Sequence, residues 1–194
     1  KYWWFNKEAW SKAVPRELHN QINSRLDALT EKELLLLECA AQIGRKFSIS
    51  ALAAGTNKDR LDVLGELRKL EKNTHIVIDI DESDDQYQLE SQILQDVLKN
   101  RLKKEVGIDT PELIKEMHYR IAVHMTENET EYSAHQILTH CLIAGKRLYS
   151  QSLKYGEKAI NSSVSKFAWP EVLKTIKSIE NSNIIDIAPK NLKD

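Results

Sequence analysis

Glycine and proline are scarce, six and four in 194 residues, which leaves no room for a collagen-like, proline-rich or low-complexity architecture. Only two cysteines are present, Cys39 and Cys141, each set among aliphatic residues, so both are expected to be buried, reduced thiols rather than a disulfide framework. No apolar run approaches the roughly 20 residues of a membrane span, and no cleavable signal pattern opens the chain. Charge of one sign is lacking too: 28 Lys and Arg stand against 29 Asp and Glu, a net of −1, which removes any bulk attraction to nucleic acid or an anionic membrane. A cytoplasmic location is expected. A chain that opens on Lys1 rather than Met is expected to be a processed or excised piece.

Catalytic and metal-binding constellations are equally thin. The only Gly-Lys pair, Gly145-Lys146, is followed by Arg147 and has His140 where the first glycine of a phosphate loop belongs, which excludes that cradle. His118 and His124 are six positions apart and His135 and His140 five, so neither pair shares a helix face, and the histidines are expected at caps and surfaces. Asp79, Asp81, Asp84 and Asp85 lack the central glycine and terminal glutamate of a calcium loop and read as a solvated acidic turn. His140 and Cys141 are consecutive, and consecutive helical residues do not face each other. No nucleophile–base set, metal set or cofactor site can be assembled, so the chain itself is expected to be non-catalytic.

What is present is helical pattern, organised around Thr30 to Lys72. Thr30 and Glu33 have the spacing of a capping box, and Leu34 to Leu37, Cys39, Ala40, Ala41 and Ile43 follow with scarcely a polar break, which predicts a helix wrapped by other elements. Gly44 is expected to end it in the left-handed conformation. Ser48 and Asn57 are expected to cap a short helix and a long one, the latter with Leu61, Leu64, Leu67 and Leu70 on one stripe. Upstream, Leu18, Ile22, Leu26 and Leu29 keep the helical period. Downstream the period changes: Ile76, Ile78 and Ile80 alternate on one side, Asp81 to Asp85 make a polar turn, and Tyr87 to Glu90 read as a return strand. Helix–helix–helix–hairpin is the element order of a winged helix.

Ser91 is expected to cap the next helix, striped by Ile93, Leu94, Val97, Leu98 and Leu102. Val106 to Asp109 break it, and Thr110-Pro111-Glu112 restart a helix carrying Leu113, Ile114, Met117, Ile121 and Met125. Three further helices are expected at about 131–144, 147–162 and 167–181, joined by short loops as antiparallel hairpins. Their stripes are Ala134, Ile137, Leu138, Cys141 and Leu142, then Tyr149, Leu153, Gly156 and Ile160, then Val172, Leu173, Ile176 and Ile179. The fold class expected is mainly α. Residues 1–13 form an aromatic segment with Trp3, Trp4, Phe5 and Trp10, read as the edge of a preceding region or a cover for the bundle rather than as an exposed binding patch; 14–104 form the winged-helix domain, 105–181 the hairpins, and 182–194 a polar tail.

Several runs resemble one family in order: Val14-Pro15, Arg25-Leu26-Asp27 with Leu29, and Ala40-Ala41-Gln42-Ile43-Gly44-Arg45-Lys46-Phe47. Together they resemble the "P…RLDxL…AAxIGRxF" signature that follows the ATPase core of STAND-type AAA+ signal-transduction ATPases, such as maltose-regulator-like activators and the ATPase regions of large bacterial cyclases and sensor kinases. Tyr87 to Leu98 looks like the family's "YxFxHxLLxEVL", and His118 with Ile121-Ala122 like its "LHxxIA". His140 with Ala144-Gly145, Tyr155 and Ala159 is similar to an opening tetratricopeptide-like repeat.

The resemblance implies a winged helix that closes on ATP or ADP held by a preceding nucleotide-binding domain of the parent chain. It also implies hairpins that start a solenoid receiving a protein or small-molecule inducer. The fragment would hold no cofactor itself. The family's phosphate-contacting histidine falls on Ser91, and Ser152 stands where the repeat usually has alanine. The expected function is a regulatory and interaction module. The alternative is a winged-helix DNA-binding transcription regulator with a helical dimerisation region. Against it, the stretch from His75 to Glu90 carries Asp79, Asp81, Glu82, Asp84, Asp85 and Glu90 and no Lys or Arg, a sign that repels the DNA backbone.

Overall fold

Capping residues decide where the helices of the first half begin. The computed structural model describes residues 16–81, 85–105 and 110–182. Helix α1 (Arg16–Asp27) is followed by α2 (Glu31–Ile43), whose first turn carries the expected box: Glu33 N donates to Thr30 Oγ1 and Thr30 N donates to the Glu33 carboxylate. Helix α2 buries Leu36 through Ala41 without interruption, as its unbroken apolar run predicts. Gly44 ends it, but not in the left-handed conformation. Its φ of 163° is extended, and its N–H donates to the Ala40 carbonyl while the chain runs straight on. Close approach is what requires glycine, since a Cβ would meet the Lys46 carbonyl at 3.0 Å.

The straight exit creates an element that the sequence reading lacks. Lys46–Ser48 form strand β1, three residues long, too short to show an alternation. Ser48 then does what its type predicts and caps α3 (Ile49–Thr56), its Oγ accepting from Ala51 N at 3.1 Å. Helix α4 (Arg60–Thr74) is capped by Asp59 rather than Asn57; Leu61 N donates to Asp59 Oδ1 at 2.8 Å. Asn57 instead closes α3 in the left-handed region, φ 56°, which asparagine tolerates better than most residues.

Two stripes are rotated from expectation, each for its own geometric reason. Leucines spaced by three drift about 60° per step around a helix of 100° per residue, so Leu61 and Leu70 end on opposite sides. The inward stripe of α4 is Val63, Leu67 and Leu70, whereas Leu61 is 71% exposed. In strand β2 (Val77–Asp81) Ile78 and Ile80 face outward, although Ile76, just before the strand, is buried. The face is set by β3 (Gln86–Leu89), whose buried Tyr87 and Leu89 lie opposite Asp79 and Val77. Strand β3 is central: the sheet is antiparallel in the order β1-β3-β2, with Phe47 opposite and stacked on Tyr87 at 6.5 Å.

The chain then returns to helices: α5 (Gln92–Glu105), α6 (Thr110–Glu127), α7 (Ala134–Ala144), a 3-10 turn (Gly145–Leu148), α8 (Tyr149–Ser165) and α9 (Trp169–Asn181). Ser133 and Gln136 form a second capping box at the start of α7. Helix α2 packs on α3 and α5, α3 packs on α6, and α6 to α9 pack in succession. Gly55 permits the α3–α6 approach, because a Cβ there would meet Cys39 Sγ at 2.7 Å and Ile121 Cγ1 at 2.9 Å. The protein is mainly helical, with one small sheet. Both thiols are buried, and burial pushes Cys39 up to about 12 and Cys141 up to about 11.

Helix α8 corrects a third stripe. Its inner face is Ser152, Tyr155, Gly156, Ala159 and Ser163, a row of mostly small residues that lets neighbouring helices approach closely, while Leu153 faces out. On α9 Val172 is buried and Ile179 half-buried, but Leu173 and Ile176 are exposed. Among the described residues no helix is long and apolar enough to cross a membrane. The aromatic residues Trp3, Trp4, Phe5 and Trp10, the turn at 82–84, the break at Val106 to Asp109 and the tail beyond Ser182 lie outside the described residues.

Candidate functional site

Ser91, the one site residue singled out from the sequence, sits at a corner where three elements meet. Its Oγ accepts from Leu94 N at 3.1 Å, so it caps α5 as expected and is half-buried. Beside it Glu90 is clamped by Arg25 of α1: the guanidinium donates from Nη1 to Oε1 at 2.6 Å and from Nη2 to Oε2 at 2.8 Å. Nη2 also donates to the Thr74 carbonyl at the end of α4, so one side chain ties α1 to both flanks of the hairpin. Hydrogen bonding to Glu90 raises the Arg25 pKa, opposed by partial burial. Arg45, exposed, lies across the same corner, 3.5 Å from the Leu89 and Glu90 carbonyls. Gln95, buried one turn into α5, donates to the Ala41 carbonyl at 2.9 Å and fixes α5 against α2.

The residues that carry the family resemblance therefore have structural work of their own. Arg25 is the clamp, Leu26 is fully buried, and Asp27 accepts from Arg101 of α5 at 2.7 Å. Ala40, Ala41 and Phe47 are core, and Gly44 permits the close turn. Chemically, the corner offers one exposed guanidinium and one hydroxyl at the start of a helix.

Two ion pairs lie on the hairpin side. Lys58 donates to Glu66 at 2.7 Å, and Arg60 donates to Asp85 at 2.8 Å. Asp85 also accepts from Ser50 N and Oγ, so this acid of the expected solvated turn is half-buried and anchors the turn to α3 and α4. Asp79 N donates to Glu71 Oε1 at 2.8 Å, which occupies a backbone donor on the outer strand.

Helices α6 to α8 hold the polar cluster that the spacing of the histidines hid. His118 and His140 are both buried, not at caps or surfaces, and their Nδ1 atoms are hydrogen-bonded at 2.8 Å across the α6–α7 seam. They are 22 positions apart, so no search along one helix can pair them. Desolvation lowers His118 to about 4 and His140 to about 3; Lys99 adds to both shifts and the His118 ring to that of His140. His135 Nε2 pairs with Ser163 Oγ at 3.1 Å, and His124 Nε2 lies 3.4 Å from the Tyr132 hydroxyl. Tyr132 is also hydrogen-bonded to Ser48 Oγ at 2.9 Å, joining the α6–α7 connection to the cap of α3.

Glu129, in the same connection, is held by α8: Lys154 and Lys158 donate to its two oxygens at 2.6 Å, and Tyr155 donates as well. Those bonds pull its carboxyl down to about 2. An open cleft of about 380 Å³ lies between the α3–α4 turn and α6, lined by Asn57, Tyr119, Arg120 and His124. Its edge is fixed by Glu116, which accepts from Arg120 and Arg147, while Arg147 stacks 3.6 Å above the Tyr119 ring. Among the described residues no group of three or more His, Cys, Asp or Glu is placed to hold a metal ion. No family model matches the chain, and neither a curated protein nor a solved structure does.

Proposed function

We propose that the chain is a regulatory and interaction module of a larger, cytoplasmic, signal-transducing STAND-type ATPase, in which residues 14–104 act as a winged helix and α6 to α9 as the start of a tetratricopeptide-like array. The observation that carries the reading is the insertion of β1 between α2 and α3 in a sheet of order β1-β3-β2. That is the strand arrangement of a winged helix, and it supplies the one strand that helix–helix–helix–hairpin leaves out. The array is fastened to it through α3, by the close Gly55–Ile121 approach and the Ser48–Tyr132 bond, so a displacement of one part is passed to the other. In this reading the Ser91 corner, with Arg45 beside it, meets the nucleotide-binding core of the parent chain, and the hairpins receive the inducer or partner.

The first test is ADP dissociation from the full-length parent protein carrying Ser91→His. A charge-assisted bond contributes about 1.5–3 kcal/mol, so release slows roughly tenfold or more if the corner faces nucleotide. An unchanged rate leaves Ser91 as a helix cap and removes the corner from the reading. The DNA-binding alternative is weakened by the pairing of Lys58 with Glu66 and of Arg60 with Asp85, and by the acids of the hairpin. Fluorescence anisotropy with random and promoter-like duplexes near 0.15 M salt is expected to show no specific binding. Submicromolar binding with a salt slope steeper than about −4 reverses the choice.

A further inference from the structure

Two imidazoles facing each other through Nδ1 share a single proton, because one nitrogen must donate and the other must accept. His118 Nε2, at the far side of its ring, is buried and has no hydrogen-bond partner. A buried orphan N–H costs more than a buried lone pair, so the proton of His118 belongs on Nδ1, where it is donated to His140 Nδ1. The pair is then complete only when both rings are neutral. A proton added to His140 Nδ1 sets N–H against N–H at 2.8 Å and breaks the bond. A proton added to His118 Nε2 makes a donor with nothing to accept it, in a site closed to water.

The surroundings do not compensate. Lys99 of α5 is the positive group whose field reaches both rings, and it opposes a second cation. Helix α2, packed on α5 and α6, carries one buried acid, Glu38, which is not among the influences on either ring. Cys141, next to His140, is a neutral thiol throughout. Helix α8 packs on α7 with Ser152, Tyr155 and Ser163 as its buried polar residues and no charge. In the 3-10 turn, Lys146 and Arg147 are exposed, and Arg147 is engaged by Glu116.

We infer that the His118–His140 pair is an acid-operated latch on the α6–α7 seam, closed while both rings are neutral and opened when either takes a proton. It governs how firmly the helical array is held to the α3–α6 joint, and it stands independently of the ATPase reading.

The test is amide hydrogen exchange of the intact chain at pH 7, 6 and 5, corrected for intrinsic rates, with the double variant His118→Leu/His140→Leu beside it. Protection in α6 and α7 is expected to fall at least about tenfold from pH 7 to pH 5 in the natural protein. It is expected to fall much less in the double variant, which carries no proton acceptor at the seam. Equal pH dependence in both proteins, or none in the natural one, overturns the latch. Should the double variant not fold, the ring ¹⁵N shifts of the natural protein decide. One Nδ1–H and one Nε2–H tautomer, with neither ring titrating above about pH 5, supports the latch; two rings titrating together near 6.5 overturn it.

Discussion

The two halves of the chain solve burial in opposite ways. From α1 to α5 the interior is aliphatic apart from Cys39, Phe47 and Tyr87, and Glu38, Ser48 and Gln95 are the other buried polar residues among the described ones. From α6 to α9 His118, His140, Ser152, Ser163 and Thr175 are buried, while Ile143, Leu153, Val164, Phe167, Trp169, Leu173 and Ile176 are exposed. Phe167 is 79% exposed and sits at φ 54°, a conformation that a bulky side chain rarely adopts. The first half is the more aliphatic inside, held by shape, by caps and by ties at its surface such as Arg25–Glu90. The second is held by specific polar pairs, and polar pairs answer to pH and to partners in a way that methyl groups do not.

The largest expected contrast sets Leu67 against Leu173. Leu67 is fully buried on α4 and Leu173 is 60% exposed on α9. Leu67→Ala is expected to cost about 2–5 kcal/mol through lost transfer energy and a cavity, and Leu173→Ala under about 0.5 kcal/mol. Urea denaturation monitored by circular dichroism measures both. Similar costs at the two positions erase the distinction.

Acid sharpens the comparison next. The folded pKa values of His118 and His140, about 4 and about 3, lie below the ordinary value of 6.5. The unfolded chain therefore takes up protons first as pH falls, so stability is complete above about 6.5 and declines toward the folded values. The slope is about 1.4 kcal/mol per pH unit for each ring. Denaturation midpoints between pH 7 and 5 are expected to fall, and to fall less in His118→Leu/His140→Leu.

At the joint, Gly55→Ala forces a methyl against Cys39 and Ile121, both fully buried. Overpacking of about 1–3 kcal/mol, reduced by up to about 1 kcal/mol of helix propensity, leaves a net loss of roughly 1 kcal/mol. Hydrogen exchange in α3 and α6 is expected to quicken together; quickening in α3 alone means the joint does not couple the halves. Arg25→Lys is expected to cost about 0.5–1 kcal/mol, because the clamp is partly exposed and an ammonium cannot reproduce the two-pronged grip on Glu90.

How much of this could be read from the chain follows the same division. In the first half the caps follow residue type: Thr30 and Ser48 cap as their hydroxyls predict, and Leu36 to Ala41 are buried, although α4 and β2 turn their faces from expectation. Its failures are local. Asp59 took the cap from Asn57 two residues later, and three residues were too few for β1 to announce itself. In the second half the helices were legible and their faces were not. Hydrophobic pattern points to Leu153, but the buried face of α8 is Ser152, Tyr155, Gly156 and Ala159, and Gly156 leaves room for Ile179 of α9, which an added Cβ would meet at 3.1 Å. His118 and His140 give no sign in sequence, because their pairing exists only after α6 and α7 have packed. At Ser91 the cap was legible from residue type; the clamp of Arg25 on Glu90 beside it, across 65 positions, was not.

The proposal that the Ser91 corner reports the nucleotide state of a parent ATPase meets its most direct test in hydrogen exchange on the full-length parent with ADP and with a non-hydrolysable ATP analogue. Amides of Arg45, Ser91 and the first turn of α5 are expected to be protected in the ADP state and released with the ATP analogue, with α4 unchanged. Identical exchange at the corner in both states contradicts it.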